Sequence, residues 1–273
     1  MKLAIDLGGT HIRIAQVENN RILQKETASG HSQGSEQEVM EHLYRLIDKL
    51  ITPQTTGIGI GVPSVVDHHK GIVYNVMNIP SWKEVHLKDL LQERYHLPVS
   101  VNNDANCFAL GEKLFGQGIY MSNLVGITLG TGVGAGIIIN NTLYSGDNTG
   151  AGEIGSLPYL DADFESYCSS PFFLRHYGMS GRQAFQQAVA GNPEARQIWN
   201  EFGRHLGQLV KATLFAYDPT AIIFGGSISL AFPYFIDSLR QNISDFPYAK
   251  SIKNVHLLCS NNPDISLLGA SAL

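Results

Sequence analysis

Cysteine is scarce in this chain of 273 residues, which contains only three. Cys107, Cys168 and Cys259 lie far apart in the sequence, so they form no CxxC metal motif. Their odd number and wide spacing are also atypical of the disulfide frameworks found in secreted proteins. A reducing compartment is the simplest setting for such thiols, and we therefore expect a cytoplasmic protein.

An excess of charge of either sign is also lacking. The formal net charge is −5, and no five consecutive residues carry charges of one sign. The longest apolar stretch, at 125–139, is shorter than a membrane span and is interrupted by five glycines. Asp6 falls within the first apolar run, so the N-terminus does not have the apolar region of a signal peptide. From these absences, we expect that the protein binds neither nucleic acid nor a membrane.

The chain does contain a repeated alternation of short apolar runs and amphipathic segments. Its hydrophobic content of 44% is enough for one large core or for two smaller ones. The pattern predicts an α/β fold with mixed sheets, and a boundary near 116–122, where GQGIYMS interrupts the alternation. Strands are predicted at 3–6, 12–17, 21–25, 57–62, 99–102, 124–129, 135–139, 221–224 and 255–258, and helices within 35–51 and at 87–95, 105–114, 193–215 and 234–243.

Two glycine-rich turns, DLGGT at 6–10 and LGTGVGAG at 129–136, each lie between two predicted strands. Glycine lets backbone N–H groups approach an anion without a Cβ in the way, so these turns could hold the phosphates of a nucleotide. No GK[ST] follows the glycines, which excludes a Walker A motif, and the context does not match a Rossmann fingerprint. The alternative is that the glycines simply form hairpin turns.

Two aspartates follow short apolar runs, at points where a buried strand would meet a loop. Asp6 ends MKLAID, and Asp104 follows VSVNN. Such carboxylates can face one another across a phosphoryl-transfer site, where one serves a metal ion and the other accepts a proton. The alternative for Asp104 is the N-cap of the helix at 105–114, a position that aspartate favours.

Several motifs together resemble the ROK family of repressors, open reading frames and sugar kinases. The resemblance extends from residue 3 to the C-terminus and rests on motifs that occur in the expected order: DLGGT, GVPSVVD, NIPSW, NNDANCFALGE, LGTGVGAGIIINNTLYSGDNTGAGEIGS, DPTAIIFGGSIS and LLGASAL. Many members are repressors that carry a DNA-binding helix-turn-helix ahead of DLGGT. Because this chain begins at that motif, we expect the repressor module to be absent.

The resemblance implies the actin-like ATPase fold, in which two ribonuclease-H-like α/β domains enclose a cleft. We expect a small N-terminal domain at 1–118 and a larger domain at 119–263, with a C-terminal helix around 264–273 that packs back on the first domain. The resemblance also implies a homodimer.

The resemblance further assigns roles to individual residues. Asp104 would be the general base that accepts the proton of the sugar hydroxyl, and Asp6 would orient Mg²⁺ through water. The motif at 225–227 would bind adenosine, although it could also be an ordinary strand-to-helix turn. The residues implied to bind ATP are Gly8, Gly9, Thr10, Thr131, Gly132, Gly225, Gly226 and Ser227.

On the sugar side, the chain departs from the pattern of the family it resembles. Many members have a histidine at the position of Ser156, followed by CxCGxxGC, and that histidine ligates a structural zinc and contacts the sugar. No cysteine lies at 157–164 here, so we predict no structural zinc. Glu165 aligns with a sugar-binding glutamate, although it could also be a loop residue without a role. The residues implied to bind the sugar are Ser64, Asn78, Asn103, Asp104, Glu153, Ser156 and Glu165.

These motifs supply amides, hydroxyls and carboxylates but few basic groups, which suits a neutral polyol better than an anionic substrate. Together with this preference, the resemblance implies glucokinase-like, ATP-dependent phosphorylation of a neutral hexose or N-acetylhexosamine. The alternative is a regulatory member of the family that binds sugar or nucleotide without catalysis.

Overall fold

The computed structural model describes residues 1–8, 11–30, 33–76, 78–147 and 150–273. The strands are β1 (Lys2–Leu7), β2 (His11–Glu18), β3 (Arg21–Ser29), β4 (Ile58–Val62), β5 (Val65–Asp67), β6 (Ile72–Tyr74), β7 (Glu84–Val85), β8 (Val99–Asn103), β9 (Leu124–Leu129), β10 (Val133–Ile139), β11 (Thr142–Tyr144), β12 (Pro158–Tyr159), β13 (Ala162–Asp163), β14 (Ala221–Gly225) and β15 (His256–Cys259). The helices are α1 (Glu36–Leu50), α2 (Leu87–Tyr95), α3 (Asp104–Phe115), α4 (Phe164–Cys168), α5 (Ser170–Tyr177), α6 (Gly181–Val189), α7 (Pro193–Tyr217), α8 (Phe232–Ile243), α9 (Ala249–Asn254) and α10 (Ile265–Ser271), with short 3₁₀ helices at Ile154–Ser156 and Ser227–Ala231.

Contacts between residues divide the chain into two compact units. The first comprises Met1–Ile119, Leu143–Ala151 and Asn262–Leu273, and the second comprises Tyr120–Thr142 and Gly152–Asn261. Each unit has its own hydrophobic core.

The first unit is built on a mixed sheet with the strand order β3-β2-β1-β4-β8. β1 is antiparallel to β2 and parallel to β4, and β4 is parallel to β8. Every residue of β4 is buried, as expected for a parallel strand that is covered on both faces. β3 lies at the edge and is largely exposed. The parallel arrangement brings the carboxyl ends of β1, β4 and β8 to one edge of the sheet.

Helices cover this sheet. α1 begins with a capping box, in which the Ser35 hydroxyl accepts from the Glu38 N–H and the Glu38 carboxylate accepts from the Ser35 N–H. Its buried face contains Val39, Leu43 and Leu50, which follow helical spacing. α10 packs against α3, β1 and β4. A small antiparallel sheet, β5-β6-β7, completes the unit.

In the second unit, β10, β9, β14 and β15 are neighbours in that order. β9 is antiparallel to β10 and parallel to β14. α7 packs against α8, and the core between them is aromatic, with Trp199, Phe202 and Phe235 in contact. Large rings dominate because they bury the most apolar area per residue.

The structure confirms the α/β class, and each predicted strand and helix is present with bounds that differ by a few residues. β3 runs on to Ser29 because it pairs with β2 over nearly its whole length. The sequence analysis did not predict β5, β6, β7, β11, β12, β13, α4, α5, α6 or α9, because strands of two or three residues and helices of five to nine show too little periodicity. Within the described ranges, no helix is long and apolar enough to cross a bilayer.

Candidate active site

Three parallel strands of the first unit end side by side. The register places Asp6 of β1 beside Gly61 of β4, and Gly61 beside Asn102 of β8. Asp104 follows two residues later and begins α3. Neighbouring strands are about 4.8 Å apart, so the backbones of Asp6 and Asn102 are separated by about 10 Å, across a residue that has no side chain. The two aspartates that stood out in the sequence therefore belong to one edge of one sheet.

The start of α3 corrects one detail of the sequence interpretation. The N-cap is Asn103 rather than Asp104, because the Asn103 Oδ1 accepts from the N–H groups of Ala105 at 2.8 Å and Asn106 at 3.3 Å. Asp104 is the first helical residue, and its Oδ1 accepts from the Ala105 N–H at 2.8 Å. Asparagine and aspartate cap helices about equally well, so their order was not predictable. The Asp104 carboxylate is thus held at a helix N-terminus, where the backbone dipoles favour an anion.

Cys107 lies one turn into α3 with 1% of its surface exposed. Burial raises the pKa of its thiol well above the usual value, and the charges of Asp6 and then Asp104 raise it further. A Cβ on Gly61 would lie 3.1 Å from the Cys107 Sγ and 3.4 Å from the Asp104 Cα, so the thiol belongs to this edge of the sheet. The thiol stays protonated at neutral pH and is not a nucleophile.

Arg13 is a residue of this group that the sequence reasoning missed. Its Nε and Nη2 both donate to the Asp6 Oδ2, with the Nε bond at 3.0 Å. Its Nη1 donates to the Pro263 carbonyl at 2.8 Å and lies 3.6 Å from the Asp264 carboxylate, at the start of α10. The signal was available, because the alternation of a β1–β2 hairpin places residue 13 directly opposite residue 6. Arg13 therefore fixes the orientation of the Asp6 carboxylate.

Two of the predicted sugar ligands lie beside Asp104. The Asn103 Nδ2 donates to the Ser64 carbonyl at 3.1 Å, and the Ser64 hydroxyl donates to the Tyr74 carbonyl. Asn78 is exposed in a turn, and among the described residues no hydrogen bond joins it to this group. The structure thus brings together Asp6, Ser64, Asn103 and Asp104.

The two glycine motifs of the second unit follow the ends of β9 and β14. These strands are parallel neighbours, so both motifs lie at the same edge of the sheet. The turn after β9 is closed by the Gly130 N–H, which donates to the Gly132 carbonyl at 3.0 Å. Gly226 has φ 83° and ψ 173°, and it packs directly against the backbone of Leu129. The structure therefore groups Thr131 and Gly132 with Gly225, Gly226 and Ser227.

Glu165 is attached to this turn. Its Oε2 accepts from the Val133 N–H at 3.0 Å, and its carboxylate fills the space that a Cβ on Gly132 would occupy. Ser170 holds the other side of the turn, because its N–H and hydroxyl both donate to the Gly130 carbonyl, at 2.9 and 2.7 Å. Glu165 is half-buried, so it is not a loop residue without contacts.

Glu153 also belongs to the second unit. It precedes the 3₁₀ helix Ile154–Ser156, and its carbonyl accepts from the Ser156 N–H at 3.1 Å. The side chain reaches solvent, yet nearby protein atoms partly desolvate its carboxyl group and raise its pKa. The charge of the Glu165 carboxylate raises that pKa further. Ser156 is exposed at the end of the short helix.

Because the folded-state pKa of Glu153 is raised, its ionisation destabilises the fold. The stability that the neutral carboxyl contributes is present below its unfolded-state pKa and is lost as pH rises through the folded-state pKa. We therefore expect Glu153→Gln to raise Tm at pH 7.5, and we expect this gain to shrink towards pH 4. Calorimetric melts across this range test the expectation, with Glu93→Gln on α2 as the matched exposed control. A gain that is independent of pH would contradict it.

Gly9 and Thr10 lie outside the described residues, and Gly8 directly precedes them. The Mg²⁺ role of Asp6 fits the chemistry of its side chain. Arg13 donates to the Asp6 Oδ2, and among the described residues no hydrogen bond reaches the Asp6 Oδ1. Carboxylate oxygens that act directly or through water are the ligands that Mg²⁺ prefers.

The zinc site known from many ROK sequences does not fit the residues present. Cys168 is fully buried in the core of the second unit, and burial raises the pKa of its thiol far above the usual value. Across the described ranges, no three His, Cys, Asp or Glu side chains cluster so that they could hold a metal ion. The absence of bound zinc remains a prediction.

The chain is similar to proteins of known family and function. The ROK family model matches residues 2–273. The chain is 30% identical over 236 residues to the xylose repressor of Bacillus subtilis, and the match covers 80% of this chain but 60% of the repressor. It is 27% identical over 304 residues to the glucokinase of Thermotoga maritima, with 99% of this chain and 96% of that enzyme covered.

The crystal structure of a ROK family glucokinase from Streptomyces griseus in complex with glucose and AMPPNP is similar to this chain throughout. The TM-score is 0.86 at 26% identity, and the match covers 99% of this chain and 98% of that one. This likeness confirms the actin-like ATPase fold that the sequence motifs implied. Because the family model covers nearly every residue, the chain belongs to the ROK family.

Proposed function

We propose that the chain is an ATP-dependent kinase that phosphorylates a hydroxyl group of a neutral hexose or N-acetylhexosamine. The observation that carries the proposal is the placement of Asp104 at the N-terminus of α3, on the same sheet edge as Asp6. A carboxylate fixed by a helix N-terminus beside a second acid suits proton abstraction from a hydroxyl group. The similarity to glucokinases supports the same chemistry.

In the proposed reaction, the sugar hydroxyl oxygen forms a bond to the γ-phosphorus of ATP while the bond from that phosphorus to the bridging oxygen breaks. The hydroxyl proton passes to the Asp104 carboxylate, and ADP leaves with the electron pair of the broken bond. Asn103 caps α3 and keeps Asp104 in place. Fixed geometry of this kind removes much of the entropic cost of the reaction.

The proposed nucleotide ligands are the backbone N–H groups of the turn at 130–132 and of the motif at 225–227, together with Gly8, Gly9 and Thr10. Mg²⁺, when bound, would neutralise charge on the transferred phosphate, and Asp6 would hold it through water. Arg13 keeps the Asp6 carboxylate oriented for that role.

The proposed sugar ligands include two acids without a cationic partner, because no salt bridge within the described ranges reaches Glu153 or Glu165. Carboxylates of this kind accept hydrogen bonds from hydroxyl groups and repel anionic substrates. Ser64, Asn78, Asn103 and Ser156 would add further contacts. A neutral sugar fits this set better than a sugar acid or a sugar phosphate.

A regulatory role without catalysis is the second candidate, and the similarity to the xylose repressor favours it. The two functions differ in whether ATP is consumed. A homodimer, a cytoplasmic location and the domain limits 1–118 and 119–263 also remain proposals that rest on the sequence.

The test is sugar-dependent ADP release from Mg-ATP with glucose, mannose, fructose, allose, N-acetylglucosamine and N-acetylmannosamine. We expect strong turnover with at least one neutral sugar, and none with glucuronic acid or glucose 6-phosphate. Binding of a sugar without ADP release across the panel would favour the regulatory function.

A further inference from the structure

The segment that replaces the zinc-binding loop is a short hairpin with aromatic anchors. β12 and β13 pair through Pro158–Asp163 and Tyr159–Ala162, and α4 follows directly. The hairpin is tied to α4 at its base, because the Phe164 N–H donates to the Leu157 carbonyl at 3.1 Å. This hairpin therefore leads straight to Glu165 on the first turn of α4.

Tyr159 is the main anchor of the hairpin. Its ring stacks on Phe164 with a centroid distance of 4.4 Å and meets the edge of Tyr167 at 5.3 Å. Its hydroxyl lies 3.0 Å from the Nδ1 of His205 on α7. The His205 ring also contacts Tyr167 at 4.9 Å. These four side chains, Tyr159, Phe164, Tyr167 and His205, are called the aromatic clamp below.

The protonation states of the clamp suit a neutral hydrogen bond. Burial raises the pKa of Tyr159 to about 12, so its hydroxyl keeps its proton and can donate. Burial lowers the pKa of His205, with Glu201 opposing this shift and His176 and Arg204 adding to it. A neutral imidazole can accept at Nδ1, whereas an imidazolium cannot.

The aromatic clamp adjoins the residues of the second unit that are proposed to bind the sugar. Phe164 and Tyr167 flank Glu165 on α4, and α4 contacts both α7 and the 3₁₀ helix that follows Glu153. Glu165 in turn accepts from the N–H of Val133, which directly follows the turn at 130–132. A movement of α4 would therefore shift the Glu165 carboxylate and break its hydrogen bond with the Val133 N–H.

We propose that the aromatic clamp, through the Tyr159–His205 hydrogen bond, positions Glu165 for sugar binding and does so without a metal ion. Tyr159 and His205 are positioning residues, since they act through α4. The assignment of Glu165 to the sugar rests on the proposed function, whereas the positioning itself does not.

The experiment compares Tyr159→Phe with the wild-type protein by hydrogen exchange and by steady-state kinetics. We expect the Val133 amide to exchange about 10-fold faster in the variant, because its acceptor is less well held. We expect KM for the best sugar to rise about 10-fold and KM for ATP to change less than about twofold, since Ser170 still holds the turn. Metal analysis of the wild-type protein should find no stoichiometric zinc.

Tyr95→Phe is the matched control, because the Tyr95 hydroxyl donates to Asp48 at 2.8 Å in the first unit. It also removes a hydrogen bond from a tyrosine hydroxyl, but far from α4 in the sequence, and should change neither the Val133 exchange rate nor the sugar KM. In a double-mutant cycle, Tyr159→Phe and His205→Leu should not be additive, because both remove one bond.

Unchanged Val133 exchange in Tyr159→Phe would overturn the proposal, as would stoichiometric zinc in the wild-type protein. Faster exchange together with an unchanged sugar KM would also overturn it. Faster exchange in a protein that turns over no sugar would uphold the positioning of Glu165 and refute the kinase function instead.

Discussion

Asp104→Asn is expected to lower kcat for sugar phosphorylation by about 10²- to 10⁴-fold, the usual contribution of a general base. The substitution removes the group that accepts the proton while it preserves the size of the side chain. An asparagine Oδ1 can still accept from the Ala105 N–H, and Asn103 still caps α3. We therefore expect Tm and nucleotide affinity to remain close to the wild-type values.

The control for this prediction is Asp89→Asn, which makes the same change in the first turn of α2 on an exposed residue. It should retain kcat within about twofold, because surface changes of this kind have small effects. Turnover by the Asp104 variant near the wild-type rate would contradict the role of Asp104. A general loss of folding would show instead that the carboxylate is structural.

The second large effect is expected from Gly226→Ala. Gly226 has φ 83° and ψ 173°, a region that essentially only glycine occupies, and non-glycine residues there cost about 1–3 kcal/mol. A Cβ would also overlap the Leu129 backbone at the end of β9. Because the neighbouring atoms belong to a central strand, they cannot move aside cheaply. We expect a loss of about 3 kcal/mol or more in the free energy of unfolding, measured by urea titration.

Gly178→Ala is the control, because it changes a glycine that also has a positive φ. Gly178 has φ 62° and ψ 19° at the end of α5, and nothing lies within 4 Å of the Cβ that an alanine would add. It carries only the milder strain of a left-handed helical conformation and no collision, so we expect a loss of only about 1 kcal/mol. Equal losses in the two variants would contradict the large effect expected from the strain and the collision at Gly226. The nucleotide should also bind more weakly to any folded Gly226 variant, and not to the Gly178 variant.

Much of this architecture could be predicted because local chemistry and tertiary structure agree. Apolar runs of strand length gave β1, β4 and β9, and the helical spacing within 35–51 gave α1. The strand ends also placed Asp6 and Asp104 at the edge where parallel strands meet loops. Consistent signals of this kind are the usual basis of predictable folds.

The contacts that could not be predicted join residues that are distant in the sequence. Tyr159 and His205 are 46 residues apart, and neither lies in a motif that implies the other. The same holds for the Glu165 carboxylate and the Val133 amide, which are 32 residues apart. By contrast, the Asp6–Arg13 pair was within reach, because an antiparallel hairpin fixes opposite residues.

In the proposed function, this chain transfers the γ-phosphate of ATP to a sugar hydroxyl with Asp104 as the base. The most direct measurement is a ³¹P NMR time course with Mg-ATP and the most active neutral sugar. We expect a new phosphate monoester signal that grows in step with ADP, and no such signal with Asp104→Asn in the same period. ADP accompanied only by inorganic phosphate, or the same ester formed at the same rate by the variant, would contradict it.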